Sequence, residues 1–78
     1  MTAAVIGGGS WGTALASVLA ESGPVHLWAR DPSVVTSINA THRNPKYQTD
    51  LDLSPNIRAF TNFETCLRNA ELEQAFVH

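Results

Sequence analysis

Six residues near the amino terminus have the types and spacing of a phosphate-binding turn. Residues 7–12, Gly-Gly-Gly-Ser-Trp-Gly, contain Gly-x-Gly-x-x-Gly between an apolar run and a segment with helical periodicity. At such a turn Gly7 lets the chain reverse after a strand, Gly9 lets the backbone approach a pyrophosphate, and Gly12 lets the helix pack closely. Amides at the helix start then face the phosphates. The chemistry indicated is the binding of a dinucleotide.

A glycine motif alone also occurs in purely structural turns, so the flanking elements decide between the two interpretations. Residues 3–6 predict a short buried strand, and residues 25–28 predict a second one. A helix between them is predicted by one face with helical spacing, formed by Trp11, Ala14, Leu15, Val18, Leu19 and Ser22. Gly23 and Pro24 end this helix. The β-α-β order favours a dinucleotide-binding turn.

The end of the second strand discriminates between the two nicotinamide dinucleotides. An acidic side chain there accepts hydrogen bonds from the ribose of NAD, whereas an arginine meets the 2′-phosphate of NADP. A count of about 20 residues from the glycines leads to Asp31. A count along the strand instead places Ala29 at its tip and Arg30 next, which favours Arg30 as the contact. A solvated charge explains Arg30 equally well, and Asp31 before Pro32 is favoured as a helix N-cap.

Beyond the second helix the predicted elements are shorter. Residues 41–55 predict a long polar loop, and residues 57–60 alternate apolar and polar side chains as a strand at a sheet edge does. Thr61 and Glu64 have the spacing of a capping box, which predicts a third helix over residues 63–70. We predict an α/β fold, an incomplete Rossmann fold with only its first β-α-β-α-β half. Its parallel sheet would have three strands in the order 3-2-1.

Composition argues against several classes of function. The 78-residue chain has a net charge of −2 and its five lysines and arginines are scattered, so no nucleic acid or membrane partner is indicated. No apolar run approaches membrane-spanning length, and the first strand follows Met1 and Thr2 directly, so we expect no signal peptide and a cytoplasmic location. Cys66 is interpreted as a buried thiol rather than a nucleophile. No metal site is predicted, because no ligand spacing relates the histidines, His26, His42 and His78.

Three blocks of sequence are more specific. They are residues 5–16, Val-Ile-Gly-Gly-Gly-Ser-Trp-Gly-Thr-Ala-Leu-Ala, residues 27–32, Leu-Trp-Ala-Arg-Asp-Pro, and residues 44–47, Asn-Pro-Lys-Tyr. These blocks and their spacing closely resemble the N-terminal domain of bacterial NAD(P)-dependent glycerol-3-phosphate dehydrogenase. The resemblance covers residues 3–70, but only about a quarter of a family member. It implies that residues 1–78 are an N-terminal fragment of a Rossmann domain that binds NAD(P).

The resemblance also implies which side chains contact the cofactor. Ser10 and Trp11 would do so on the phosphate turn, Arg30 beside the adenosine ribose, and Tyr47 as a further contact. Each contact has an alternative: Ser10 as a plain N-cap, Trp11 as a core residue, and Tyr47 as a ring packed on the domain surface, which we favour. No catalytic residue is expected in this chain, because the family's catalytic lysine and substrate-phosphate contacts come later. The complete enzyme is expected to be a homodimer.

The chain departs from the family pattern in two places. Residues 48–50 are Gln-Thr-Asp where family members have Leu-Pro-Gly, which leaves the course of that loop open. After the third helix the family has a buried apolar strand, but residues 71–78 include Glu73 and Gln74. Because polar residues do not suit a central parallel strand, we expect no regular fourth strand and an unpaired edge on the first. Residues 75–77 would pair there imperfectly.

Three functions remain open from the sequence. The leading hypothesis is the cofactor-binding part of a glycerol-3-phosphate dehydrogenase, which moves a hydride between NAD(P)H and dihydroxyacetone phosphate. A standalone nucleotide-binding module would instead bind NAD(P) tightly without any partner chain. A non-functional gene remnant would only associate through its open sheet edge.

Overall fold

The computed structural model describes residues 2–7, 9–45, 47 and 52–68, together with the backbone of residues 72–76. Strands and helices alternate along the chain, as the sequence predicts for an α/β fold. The elements are β1 (Ala3–Ile6), α1 (Ser10–Leu19), β2 (Val25–Trp28), α2 (Pro32–Thr41), β3 (Ile57–Phe60), α3 (Phe63–Leu67) and β4 (Leu72–Phe76).

All four strands form one parallel sheet with the order β3-β2-β1-β4. The predicted 3-2-1 order and the position of β3 at a sheet edge are therefore confirmed. In register, β1 and β2 pair Ala3 with Val25 and Ile6 with Trp28. Because all strands run the same way, the carboxyl ends of β1 and β2 lie side by side. The β1–α1 turn and the segment after β2 therefore leave the same edge of the sheet.

The prediction of a three-stranded sheet with an unpaired β1 is wrong. The fourth strand pairs with β1 from Ala3↔Leu72 to Ile6↔Phe76, with a register shift after Val5↔Gln74 that passes over Ala75. Polar residues argued against this strand only on the assumption that it would be central. In this sheet β4 lies at the end, where polar side chains are tolerated.

One face of the sheet is covered by α1 and α2 and holds the main core. The buried cluster consists of Val5, Ala16, Ala20, Val25, Leu27, Ala29, Val34, Ile38, Leu53, Ile57 and Ala59. From α1 the buried residues are small, Gly12, Thr13 and Ala16, whereas Val18 is 62% exposed. The prediction that Val18 lies on the buried face is therefore wrong. The face of α1 with the small residues packs on the sheet, and Val18 lies outside that face.

The opposite face carries aromatic side chains and the five-residue helix α3. The ring centroids of His26 and Phe60 lie 4.8 Å apart, and the Nδ1 atom of His26 lies 2.8 Å from the carbonyl oxygen of Cys66. Two predictions about α3 are wrong, because its N-cap is Asn62 rather than Thr61 and it ends at Leu67. The Asn62 side chain accepts a hydrogen bond from the amide of Thr65, and Asn is an N-cap at least as favourable as Thr.

A side chain closes the outer edge of β3. Asn39 Nδ2 donates to the carbonyl oxygen of Ala59 at 3.0 Å, and Asn39 Oδ1 accepts from the amide of Ala59 at 2.8 Å. The amide of Ile57 donates to the carbonyl oxygen of Ser54. Asn39 thus satisfies the edge strand as a neighbouring strand would.

Candidate dinucleotide-binding site

The chain leaves β1 through a turn that requires glycine at its first position. Gly7 has a φ of 126°, a conformation that L side chains rarely adopt, and its amide donates to the carbonyl oxygen of Trp28 at 2.9 Å. Gly9 is extended and forms the N-cap of α1. The first helical hydrogen bond runs from the amide of Thr13 to the carbonyl oxygen of Gly9. The first amides of an α-helix have no acceptor within the helix itself, so a helix start can offer donors to an anion.

The two later glycines of the motif have opposite surroundings. A Cβ built on Gly12 would overlap the carbonyl oxygen of Gly7 and lie 2.8 Å from its carbonyl carbon. A Cβ built on Gly9 would meet nothing within 4 Å. Gly9 also has φ −77° and ψ −173°, which any residue adopts. The fold therefore requires Gly12, whereas the space above Gly9 is free for a ligand.

Ser10 and Trp11 lie on the outer side of this turn. Ser10 is exposed and is the first residue of α1, so its interpretation as the N-cap is wrong, since Gly9 holds that position. Trp11 is 70% exposed, so its interpretation as a core residue is also wrong. Exposure of a large aromatic side chain beside free space leaves a flat surface on which a ligand can stack. Their contact with a cofactor stays a prediction.

Arg30 and Asp31 differ in their local partners. The β2 ladder continues to Ala29, whose amide donates to the carbonyl oxygen of Phe60, and Arg30 follows with an exposed side chain. The carboxylate of Asp31 accepts from the amide and the hydroxyl of Ser33 at 2.9 and 2.8 Å. Asp31 is therefore the N-cap of α2, as predicted. Arg30 lies at the carboxyl edge of the sheet, beside the glycine turn.

The loop after α2 returns to α1 through a hydrogen-bonded turn. The amide of Tyr47 donates to the carbonyl oxygen of Asn44 at 2.9 Å, and Pro45 occupies the second position of this turn. Asn44 Nδ2 donates to the Thr13 hydroxyl at 2.6 Å. Tyr47 is half-buried and packs against the core, as the favoured interpretation predicts. Residues 48–50, where the chain departs from the family, lie outside the described residues.

Comparison with known proteins identifies the family. A family model described as the N-terminus of NAD-dependent glycerol-3-phosphate dehydrogenase matches residues 2–75. The chain belongs to this family. The match extends to residue 75, so the expectation that the chain departs from the family pattern after the third helix is wrong for residues 72–75.

Relatives and solved structures agree with this assignment. The chain is 49% identical over 69 residues to glycerol-3-phosphate dehydrogenase [NAD(P)+] of Rhodospirillum rubrum, covering 87% of this chain and 20% of the relative. It is 47% identical to that of Stenotrophomonas maltophilia, with 86% and 20% covered. The Coxiella burnetii enzyme structure matches with a TM-score of 0.78 and 33% identity, covering 88% and 22% of the two chains. The Plasmodium falciparum enzyme structure matches with a TM-score of 0.80 and 28% identity, and the match covers 94% of this chain and 23% of that one.

The family assignment confirms the half-Rossmann architecture and the resemblance seen in the sequence. The chain spans about a fifth of the length of the relatives it matches. The turn also fits the dinucleotide of this family, because a Cβ at Gly9 would occupy open space that the fold does not use. Two residues beside the turn, Thr13 and Asn44, were given no role in the sequence. They lie 31 positions apart, and nothing in either local pattern connects them.

Features outside the glycine turn were also considered as sites, beginning with the cysteine. Cys66 is a buried free thiol, as predicted, and burial raises its pKa from 9.0 to about 11. The described residues contain no cluster of three side chains that could hold a metal ion. The helices described there are too short or too polar to cross a membrane. A cavity of about 380 Å³ lies along the β3 edge, with Asn39 and His42 in its lining and none of the glycine turn.

Proposed function

We propose that this chain is the N-terminal part of a Rossmann domain and binds NAD(P) at its glycine turn. In the complete enzyme this part would serve hydride transfer between NAD(P)H and dihydroxyacetone phosphate. The observation that carries the proposal is the free space above Gly9, a glycine whose conformation any residue adopts. A pyrophosphate at the start of α1 explains why this position lacks a Cβ, which the packing of the fold does not explain.

Each proposed contact has its own role at this turn. The α1 amides would donate to the pyrophosphate, with the Ser10 hydroxyl as a further donor. Trp11 would stack against the cofactor, and Arg30 would meet the adenosine ribose or its 2′-phosphate. Tyr47 would complete the site from the adjacent loop. When bound, the reduced cofactor supplies the hydride, and this chain's residues bind and orient it.

The proposal assigns no catalytic residue to this chain. The described residues contain no cluster of three metal-ligating side chains, and Cys66, whose pKa is raised by burial, lies on the face of the sheet opposite α1 and α2. The pure 78-residue chain should therefore bind NADPH without oxidising it in the presence of dihydroxyacetone phosphate. For the complete enzyme we propose a cytoplasmic homodimer without nucleic acid or membrane partners.

Trp11 allows a direct test of binding. In Trp28→Phe, the remaining tryptophan is Trp11, and its fluorescence should be quenched by added NADPH. The matched control is Trp11→Phe, which keeps Trp28. That indole donates to the carbonyl oxygen of Thr61 and contacts Phe63 edge to face, so its emission should change much less. Equal responses in the two variants, or turnover by the pure chain, would contradict the proposal.

A further inference from the structure

Two side chains that no local sequence pattern connects meet beside the glycine turn. Thr13 is fully buried in α1 and follows Gly12 directly, and Asn44 is 4% exposed. Asn44 Nδ2 donates to the Thr13 hydroxyl at 2.6 Å. A hydrogen bond between buried side chains holds its geometry closely, because breaking it leaves a buried polar group unsatisfied.

The same asparagine also holds the turn that follows it. Its carbonyl oxygen accepts from the amide of Tyr47 at 2.9 Å, and Pro45 restricts the backbone between them. Two hydrogen bonds therefore connect α1 to Tyr47 through Asn44. Tyr47 also packs against the core, so its backbone and its ring are both fixed relative to α1.

We propose that Asn44 is a positioning residue for cofactor binding. It fixes the turn of residues 44–47 against the first turns of α1, beside the helix start that faces the space above Gly9. The inference rests on the proposed function, because it assigns the loop to the same NAD(P) site. Asn44 acts through Thr13 and Tyr47, and direct contact between its side chain and the cofactor is not required.

The test measures NADPH affinity and thermal stability separately. Asn44→Ala removes the donor, and Thr13→Val removes the acceptor while keeping the side-chain shape. Each should weaken NADPH binding about tenfold, and the double variant should be little weaker than either one, because both substitutions remove the same hydrogen bond. Thr13→Ser keeps the hydroxyl and should bind within about twofold of the original chain. Should Asn44→Ala not fold, Thr13→Val carries the same test.

Asn39→Ala is the matched control. It also removes an asparagine side chain, along with its two hydrogen bonds to Ala59 at the β3 edge, so it should lower the Tm without changing the Kd for NADPH. Unchanged affinity in Asn44→Ala or Thr13→Val, with binding by the original chain, would overturn the positioning role alone. Equal weakening in Asn39→Ala would overturn it too. If the original chain does not bind NADPH, the proposed function fails with it.

Discussion

On the side of the glycine turn that faces the sheet, the chain's own packing explains the residues. Gly7 adopts a positive φ, and Gly12 leaves no room for a Cβ beside the Gly7 carbonyl. On the outer side, Gly9 has an ordinary conformation and open space, and Trp11 is largely exposed. On the inner side, folding itself requires glycine at both positions. Packing does not explain the outer side, and that contrast is the ground for our proposal that a ligand binds there.

Gly12→Ala should have the largest effect, because it acts on both sides of the turn. The added methyl group meets backbone atoms, so α1 must move away from the β1 end. We expect a loss of about 3 kcal/mol in the free energy of unfolding, a fall in Tm of at least about 10 °C, and loss of NADPH binding. A Tm close to that of the original chain would show that the inner side tolerates a side chain, and the comparison would fail.

Gly9→Ala should separate the two sides. Its methyl group would stand in the space assigned to the pyrophosphate, and nothing in the fold opposes it. Without ligand, the free energy of unfolding should change by less than about 1 kcal/mol. The rise in Tm that NADPH produces should disappear. An undiminished NADPH-induced rise would remove the phosphate-turn assignment.

Arg30→Ala should have a smaller and more selective effect on the outer side. If the guanidinium meets the 2′-phosphate, its loss should weaken NADPH binding by about 1.5–3 kcal/mol and NADH binding by less. Dissociation constants for both cofactors measure this difference. Asp31→Ala is a useful contrast, because the Asp31 carboxylate caps α2, and its loss should lower Tm with little cofactor selectivity. Equal losses for NADPH and NADH in Arg30→Ala would exclude Arg30 as the discriminator.

Cys66 should show the smallest response to cofactor, because it lies on the other face of the sheet. Its raised pKa, about 11, keeps the thiol protonated at neutral pH, so a thiol reagent should react slowly. In the folded state the labelling rate should rise steadily with pH, in proportion to the thiolate fraction, and level off only near that pKa; unfolding should also accelerate it. Saturating NADPH should leave the labelling rate of the folded state nearly unchanged. Strong protection by NADPH would mean that the ligand acts well beyond the turn.

Most of the fold follows from local patterns, and the failures have identifiable causes. The strands β1, β2 and β3 and the cap of α2 were predicted because apolar runs, Asp31 and Pro32 act over a few residues. A regular strand over residues 72–76 was missed because polar residues exclude a central strand but not an edge strand. Helical periodicity identifies the apolar faces of a helix, but in α1 the face with the small residues packs on the sheet, so Val18 is exposed.

The candidate site divides in the same way. The glycines and Arg30 were predicted as site residues from their positions relative to a strand end, and Ser10 and Trp11 were predicted from the family resemblance. The hydrogen bond between Thr13 and Asn44 was not predicted, because it depends on how the chain after α2 returns to α1, and no periodicity describes that path.

The side-chain amide of Asn39 determines at which edge the sheet can be extended by a further strand. With the outward backbone groups of Ala59 occupied, a strand arriving at the β3 side finds that donor and acceptor already taken. Further strands can therefore be added beside β4, so any larger sheet built on this one would extend from that end. The Asn39 side chain thereby makes the two edges of the sheet different. In Asn39→Ala, copies of the chain should be able to associate through the β3 edge as well as the β4 edge.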